Sequence, residues 1–161
     1  MLVVVDIGNT NITMGLYDEN KLIGNYRLTT KFQRTSDEYG FMILSFLQTN
    51  HVGIEQIDDV IIASVVPKIM YSFTNSIRKY FRKEPIIIGP GIKTGISIKV
   101  DNPKSLGADR LVDAAGAYYL YKCACLVVDF GTATTFDVIN SKGEFVGGAI
   151  AKDGGAGFLG A

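Results

Sequence analysis

The sequence predicts an α/β fold of two related lobes, the second incomplete, with mixed sheets that each contain an antiparallel three-strand meander. Two observations support this prediction. The apolar run Leu2–Ile7 ends in an Asp-x-Gly turn, and the same arrangement returns at residues 126–134. Short apolar runs otherwise alternate with stretches of helical period. We expect residues 1–122 to form the first lobe and residues 123–161 the second.

Composition narrows the function classes. The 161 residues are 47% hydrophobic and 20% charged, which suits one ordinary domain or two small lobes. Lys+Arg and Asp+Glu number 16 each, so no broad basic face for nucleic acid is expected. His51 alone builds neither a metal site nor a triad. We expect Cys123 and Cys125 to be reduced packing residues. Since neither a signal sequence nor an apolar run of membrane length is visible, we expect a soluble, cytoplasmic protein with no membrane partner.

Short strands dominate the first lobe. Continuous hydrophobicity in Leu2–Ile7 predicts a central strand covered on both faces. Residues 11–17 and 21–29 complete the meander, with a turn cluster between them. Further strand-like pieces are expected at residues 60–66, 85–88 and 96–100.

Three helices are expected. Thr35 and Glu38 have the spacing of a capping box and predict the start of the first. Residues 69–81 form an amphipathic second helix, whose basic end is interpreted as a solvated terminus. Residues 106–121 form the third. The residues expected to face the core in the first two are Phe41, Leu44, Leu47, Ile69, Phe73 and Ile77.

An internal repeat relates the two lobes. Position 129 minus position 6 is 123, which relates Asp129 to Asp6, and 147 minus 24 is also 123, which relates Gly147 to Gly24. We expect the repeat to run without a gap through three strands and two turns. Residues 152–161 are mostly Gly and Ala, so we expect a second lobe that is cut short, as in a fragment of a longer chain.

The two Asp-x-Gly turns suit phosphate binding. Backbone N–H groups, hydroxyls and amides in such turns can hold phosphate oxygens, and Gly8 and Gly131 permit tight geometry and close approach of a ligand. The carboxylates of Asp6 and Asp129 would repel phosphate unless a cation intervenes, and a hydrated Mg²⁺ resolves that conflict. We expect the two turns to face each other across a phosphate site. The alternative is that each is only a hairpin turn.

Residues 107–110, Gly-Ala-Asp-Arg, form another candidate site at the start of the third helix. A helix N-terminus carries N–H groups without intrahelical partners and partial positive charge. Asp109 either stabilises the helix dipole or acts as a general base beside a substrate-binding Arg110. Asp113, one turn later, is a candidate supporting group or ion-pair partner. One base and one cation site suffice for phosphoryl transfer.

These motifs resemble those of the type III pantothenate kinases over nearly the whole chain, up to Ile150. Residues 6–11 are similar to the family's first phosphate motif and residues 129–135 to its second. Asn102-Pro103 followed by residues 107–110 resembles its pantothenate-binding segment. The family belongs to the acetate kinase, sugar kinase, Hsp70 and actin superfamily. The resemblance therefore implies duplicated ribonuclease H-like, or actin-like ATPase, lobes.

The resemblance also implies a reaction and its site. The reaction is ATP-dependent phosphorylation of pantothenate to 4'-phosphopantothenate, the first step of coenzyme A biosynthesis, by a homodimer that uses Mg²⁺ and a monovalent cation (K⁺ or NH₄⁺). Asp109 would be the catalytic base, Asp129 would bind K⁺, and Asp6 would bind Mg²⁺ through water. The residues implied to contact ATP are Asp6, Ile7, Gly8, Asn9, Thr10, Asn11, Ile12, Thr13, Gly131 and Thr132. Those implied to contact pantothenate are Val100, Gly107, Ala108, Asp109 and Arg110.

The chain departs from the family pattern in two places. Residues 151–158 stand where the family has a Pro-Gly turn and a helix, and some members carry an aromatic residue at the position of Val100. We expect the 161-residue chain alone to be inactive or impaired. The alternative function is a non-catalytic, nucleotide-binding regulator of the transcriptional-activator type on the same fold. Another sugar or acid kinase, or a phosphatase relative, is a third reading, and residues 107–110 discriminate against it.

Overall fold

A computed structural model describes residues 1–89, 91–152 and 155–159, and the chain divides into two compact units, Met1–Ile88 and Gly89–Ala161. The predicted α/β class, with mixed sheets and a meander in each unit, is confirmed. The division falls before the predicted boundary at residue 122, because residues 97–98 and a helix at residues 108–121 contact the second sheet. Pro90 and four of the predicted tail residues lie outside the described residues.

The first unit contains a five-stranded mixed sheet in the order β3-β2-β1-β4-β5. Its antiparallel meander consists of β1 (Leu2–Ile7), β2 (Asn11–Asp18) and β3 (Lys21–Thr29). The strands β4 (Asp59–Ser64) and β5 (Ile86–Ile87) run parallel to β1. Because β1 is central, the turn that follows it is anchored by strands on both sides.

Two helices complete the first unit: α1 (Ser36–Thr49) and α2 (Pro67–Phe81). The predicted capping box of α1 is confirmed. The backbone N–H of Glu38 donates to the Thr35 hydroxyl at 3.3 Å, and the Glu38 carboxylate accepts from the Thr35 N–H at 2.7 Å. Both contacts satisfy N–H groups that the first turn of a helix leaves without partners.

The core of the first unit lies on one face of the sheet. Val3, Val5 and Ile7 of β1 are buried in one cluster with the inward residues of both helices, whereas Val4 is half-buried and Asp6 is exposed. The prediction that β1 is covered on both faces is therefore wrong. Side chains of a strand alternate between faces, and only one face of β1 has helices packed against it.

The predicted inward residues of α2 are confirmed, but those of α1 need a correction. Ile69, Phe73 and Ile77 are at most 1% exposed, as is Leu47. Phe41, however, is 66% exposed. The buried side of α1 instead carries Tyr39, Ile43, Phe46 and Leu47, so its apolar stripe is rotated relative to the predicted one.

The second unit contains another five-stranded mixed sheet and an α-helix of 14 residues. Its strands are β6 (Ser97–Ile98), β7 (Cys125–Phe130), β8 (Thr134–Ile139), β9 (Glu144–Lys152) and β10 (Gly155–Leu159), and its helix is α3 (Ala108–Tyr121). The antiparallel order is β10-β9-β8-β7, and β6 pairs with β9 in parallel. The buried core cluster consists of Val100, Ala114, Ile139 and Phe145.

Both cysteines are unpaired, but only one packs. Cys125 is half-buried at the start of β7, and burial raises the pKa of its thiol. Cys123 is exposed, so the prediction that it is a packing residue is wrong. It precedes β7 and therefore lies outside the ladder that holds Cys125.

The internal repeat is present in the topology, but it is not free of gaps as predicted. Asp6 pairs with Thr13 across the first hairpin, and Asp129 pairs with Thr135 across its counterpart. The offset is therefore 123 in the first strand of each meander (129 minus 6) but 122 in the second (135 minus 13). Measured between paired residues, the turn between β7 and β8 is one residue shorter than the turn between β1 and β2.

The two meanders nevertheless share an irregularity at the same position. The pairing register shifts between Leu16 and Tyr17 in β2, and between Val138 and Ile139 in β8. These pairs correspond under the offset of 122. The connection from Ile139 to its partner Phe145 is one residue longer than the connection from Tyr17 to its partner Leu22, which restores the offset of 123 in the third strand. A repeated β-bulge at a fixed place indicates one common framework with turns of different length.

Phe73 and Tyr71 provide a matched test of the core, because both are aromatic residues on α2. Phe73 is 0% exposed and its ring centroid lies 5.0 Å from that of Tyr39, whereas Tyr71 is 77% exposed. We expect Phe73→Ala to lower the free energy of unfolding by about 3–5 kcal/mol. Tyr71→Ala should change it by less than about 0.5 kcal/mol. Urea denaturation followed by circular dichroism measures both, and equal losses would contradict the assigned core.

Acid should destabilise the first unit. Hydrogen bonds from Lys79 and Tyr80 hold the pKa of Asp37 below its ordinary value of 3.8, and the N–H of Thr35 lowers that of Glu38 from 4.5. A carboxylate with a lowered folded-state pKa stabilises the fold above its unfolded pKa, and this contribution is lost as the pH falls through the folded one. We expect the urea concentration at the unfolding midpoint to decrease as the pH is lowered below about 4.5. The slope of this decrease with pH should be smaller in the Asp37→Asn variant. An unchanged slope would contradict the assignment.

Candidate functional site

The first Asp-x-Gly turn, residues 8–11, is held by contacts within the first unit. The Gly8 N–H donates to the Asn11 carbonyl at 2.9 Å. Thr30, just after β3, donates its hydroxyl to the Gly8 carbonyl at 2.7 Å and its N–H to the Thr10 carbonyl at 2.9 Å. Thr30 therefore braces the turn from the neighbouring strand. Sequence reasoning did not select it, although the meander register that places Thr29 beside Asn11 could have indicated it.

The predicted ATP-binding residues of this turn divide into two groups. Asp6, Asn9, Thr10 and Asn11 are exposed, and they present a carboxylate, two amides and a hydroxyl at one end of the sheet. Ile7 and Ile12 are 0% exposed and belong to the core. They can therefore contribute to a ligand site only through their backbone, while their side chains fix the two strands.

Gly8 and Gly131 provide space in their turns. Neither has the positive φ that would require glycine. A Cβ at Gly8 would lie 3.2 Å from the Asn11 carbonyl, and one at Gly131 would lie 3.2 Å from Oδ2 of Asp129. Both glycines therefore make room for a close approach, and Gly131 keeps space for a carboxylate oxygen.

The second turn lies in the second unit between β7 and β8. Its Gly131 N–H donates to the Ala133 carbonyl at 3.1 Å, which closes the turn. Asp129 and Thr132 are both exposed. A carboxylate and a hydroxyl are thus exposed within four consecutive residues, and their role in binding phosphate stays a prediction. The expectation that the two turns face each other stays a prediction.

The start of α3 places Asp109 in the first turn of the helix. Gly107 is the N-cap residue and makes no side-chain cap. Oδ1 of Asp109 accepts the N–H of Arg110 at 2.7 Å, so the carboxylate is held against the first turn. A carboxylate is favoured there by the helix dipole. A carboxylate also has lone pairs on both oxygens, so this contact does not remove its capacity to accept a proton.

Arg110 points into the second unit instead of lying on its surface. It is 4% exposed, and its Nε and Nη2 donate to Oδ1 of Asp137 at 2.8 and 2.5 Å. Nη2 also donates to the Phe136 carbonyl at 3.3 Å, and the guanidinium carbon lies 5.9 Å from the Phe145 ring centroid. Its Nη1 finds no hydrogen-bond partner within the described part of the chain.

Asp137 was missed by sequence reasoning. It is 1% exposed on β8, and burial raises its pKa, whereas the N–H groups of Arg110 oppose that shift. The negative charges of Asp109 and Asp129 raise it further. The alternation of side chains along β8 could have identified Asp137, because it shares a face with Thr135 and Ile139. A carboxylate on a buried face needs a partner.

The remaining predicted residues differ in their exposure. Val100 is 7% exposed and packs in the core of the second unit, so its side chain faces apolar neighbours. Ala108 and Gly107 are half-buried. Asp113 is exposed on α3.

The acidic side chains do not form a preassembled metal cage. Within residues 1–89, 91–152 and 155–159, no group of three or more His, Cys, Asp or Glu side chains could hold a metal ion. Asp6 and Asp129 are each an exposed carboxylate that precedes, in the sequence, a turn with a threonine hydroxyl. Such a donor set suits a cation that keeps most of its water, as Mg²⁺ does. No helix in the same residues has the length and apolar character needed to cross a bilayer.

The Arg110–Asp137 pair should be costly to break. Arg110→Ala would leave the Asp137 charge buried without its partner, and we expect the free energy of unfolding to fall by about 3–5 kcal/mol. Arg78→Ala is the matched control, because Arg78 also lies 2.5 Å from a carboxylate, that of Glu84, but both side chains are exposed. Its loss should be much smaller. Urea denaturation at neutral pH would contradict the assignment if the two losses were equal.

Comparison with known proteins identifies the family. Residues 2–154 match the model of the type III pantothenate kinases. The type III pantothenate kinase of Agathobacter rectalis is 52% identical over 151 residues, which cover 94% of this chain and 58% of that protein. The one from Bifidobacterium longum subsp. infantis is 51% identical over 150 residues, covering 93% and 59%. The chain thus spans 58–59% of the length of these curated relatives.

A solved structure supports the fold alone. The reductive activator for a corrinoid, iron-sulfur protein superposes with a TM-score of 0.52 at 13% identity, over 86% of this chain and 29% of that one. The functional conclusion therefore rests on the sequence relatives and not on this superposition. With the family model matched along nearly the whole chain, and both turns and the 107–110 segment in place, the chain belongs to the type III pantothenate kinase family.

Proposed function

We propose that the protein to which this chain belongs transfers a phosphoryl group from ATP to the primary hydroxyl of pantothenate, giving 4'-phosphopantothenate and opening coenzyme A synthesis. Family membership supports the reaction class. The observation that carries the proposal is the start of α3, where Asp109 is held in the first helical turn beside a buried arginine. That arrangement offers a proton acceptor and a positive charge to an acid that carries a hydroxyl group.

Asp109 is the proposed general base. Its backbone contact with Arg110 fixes the carboxylate at the helix start, and the remaining lone pairs can accept the proton of the attacking hydroxyl. Phosphoryl transfer needs mainly positioning and charge stabilisation, so one correctly placed base is sufficient. Arg110, together with the backbone of Gly107 and Ala108, would hold the substrate.

The first unit would contribute to binding the ATP phosphates. Its exposed Asn9, Thr10 and Asn11 supply amide and hydroxyl groups, and the brace from Thr30 keeps their turn ordered. Asp6 would meet Mg²⁺ through water, because a single exposed carboxylate fits a largely hydrated ion. Bound Mg²⁺ supplies charge neutralisation at the phosphates.

The second unit would contribute Gly131 and Thr132 to ATP and Asp129 to a monovalent cation, K⁺ or NH₄⁺. The charges of Asp109 and Asp129 both act on Asp137, while Arg110 is the cation paired with it. The excess of carboxylates supports a cation requirement, since two anionic substrates must be accommodated beside them.

The proposal extends to a cytoplasmic homodimer. Tyr119, Leu120 and Tyr121 at the end of α3 are each at least 70% exposed, and an exposed apolar cluster is typical of surfaces that meet another chain. A cytoplasmic location suits an enzyme that uses ATP.

The reaction is tested by ADP release in the full-length protein with Mg²⁺ and K⁺, with and without pantothenate. We expect release to depend on pantothenate. Asp109→Asn should lower kcat by about 10²–10⁴-fold while pantothenate still binds, because the amide cannot accept the proton. Asp18→Asn, an exposed carboxylate at the end of β2 distant from the turn, is the control and should keep full activity.

Two results would contradict this proposal. ADP release that does not depend on pantothenate, or no ADP release at all, would contradict the proposed kinase activity, and the second of these results would favour the non-catalytic regulator. An unchanged kcat in the Asp109→Asn variant would be compatible with the proposed reaction but would contradict the role of Asp109 as its general base.

A further inference from the structure

Asp137 makes the contacts that determine where Arg110 points. Its Oδ1 accepts from Nε and Nη2 of Arg110 at 2.8 and 2.5 Å, and the adjacent Phe136 carbonyl accepts from Nη2 at 3.3 Å. One edge of the guanidinium is therefore fully engaged by β8. The other nitrogen, Nη1, is buried with no partner in the described part of the chain. Buried donors of this kind are rare in folded proteins and need an explanation.

Gly148 makes this arrangement possible. The β8–β9 register sets it directly opposite Asp137. A Cβ there would lie 2.4 Å from Nη2 of Arg110, 2.8 Å from Oδ1 of Asp137 and 2.3 Å from the Phe136 carbonyl. The φ of Gly148 is not positive, so the glycine is required for space and not for backbone conformation. Three elements, α3, β8 and β9, are therefore adapted to one orientation of one side chain.

We propose that Asp137 is a positioning residue for pantothenate binding: it holds Arg110 by Nε and Nη2 so that Nη1 remains for the substrate, and Gly148 provides the space. This inference rests on the proposed kinase function. Asp137 touches neither substrate in this proposal and acts only through Arg110. A guanidinium has five N–H donors in a rigid fork, so fixing one edge fixes the direction of the other.

A purely structural ion pair would behave differently. Its loss would lower the fraction of folded enzyme, so the reaction rate would fall without a selective change in the KM for either substrate. A positioning role predicts a selective effect, because only pantothenate is expected to meet Arg110. The ratio of the two KM values therefore separates the two roles.

The first variant is Asp137→Asn in the full-length protein. Asparagine has the same shape and keeps an oxygen that can accept from Arg110, but it lacks the negative charge, so the hydrogen bonds that orient Arg110 become weaker. We expect the KM for pantothenate to rise by about tenfold or more, because losing a well-placed hydrogen bond to a charged group weakens binding by about that factor. The KM for ATP should change by less than about twofold. Asp37→Asn is the control, because it removes an exposed ion pair with Lys79, and both KM values should stay unchanged. On an Arg110→Gln background, Asp137→Asn should add less than about twofold.

The second variant, Gly148→Ala, keeps both charges and displaces the pair by sterics. We expect the same selective rise in the KM for pantothenate. Gly116→Ala is its control, because an added Cβ on α3 at that position meets nothing within 4 Å. Thermal unfolding of every variant measures the folded fraction.

The outcomes are distinct. A wild-type protein without pantothenate-dependent ADP release overturns the proposed function itself. An active wild type with a folded Asp137→Asn variant whose KM for pantothenate is unchanged, or whose two KM values change together, overturns only the positioning role. If Asp137→Asn does not fold, Gly148→Ala decides by the same criterion. If neither folds, the pair is structural and the inference is overturned.

Discussion

The second unit depends on one buried charge pair, Arg110 with Asp137. The apolar core around it is small, with Val100, Ala114, Ile139 and Phe145 forming its buried cluster. Such a core can hold α3 against the sheet but does little to fix the rotation of the helix about its axis. The ion pair ties the first turn of α3 to β8 through directional hydrogen bonds. Since buried pairs add little net stability over apolar residues, we interpret this one as a determinant of orientation. That orientation sets the position of Asp109.

The two meanders show how one framework accommodates two different turns. Their strands share pairing directions and a β-bulge at equivalent positions, but the turn after Asp6 has one residue more than the turn after Asp129. The longer turn carries Asn9 and Thr10 and is braced by Thr30, whereas the shorter one closes on itself through Gly131 and Ala133. A ladder of backbone hydrogen bonds tolerates little change, while a surface turn tolerates much. Differences in the chemistry of the two halves are therefore located in their turns.

Local signals in the sequence were sufficient for much of the fold and for part of the site. The capping box of Thr35, the stripe of α2 and the polar turns depend on residues close together in the chain, and they are found as predicted. The partner of Arg110 is 27 positions away, and Gly148 acts across a strand pair, so only the register reveals them. The change in offset from 123 to 122 between the two meanders was not visible, because the connection after the second strand of each meander restores the offset of 123. The one-sided burial of β1 depends on which face the helices cover, which apolar content alone does not specify.

The charge balance of the second unit gives a reason for the cations of the proposed reaction. The charges of Asp109 and Asp129 act on Asp137, and Arg110 offsets one of the three charges. Two negative charges thus remain where two anionic substrates are proposed to bind. Neutralising them by protonation would disable the base at Asp109, whereas a cation at Asp129 leaves that carboxylate able to accept a proton. A second arginine would meet the charge requirement too, but it would compete with Arg110 for Asp137 and so disturb the orientation of Arg110. An exchangeable cation at Asp129, as proposed, would therefore satisfy the electrostatics without disturbing the geometry on which the proposed base depends.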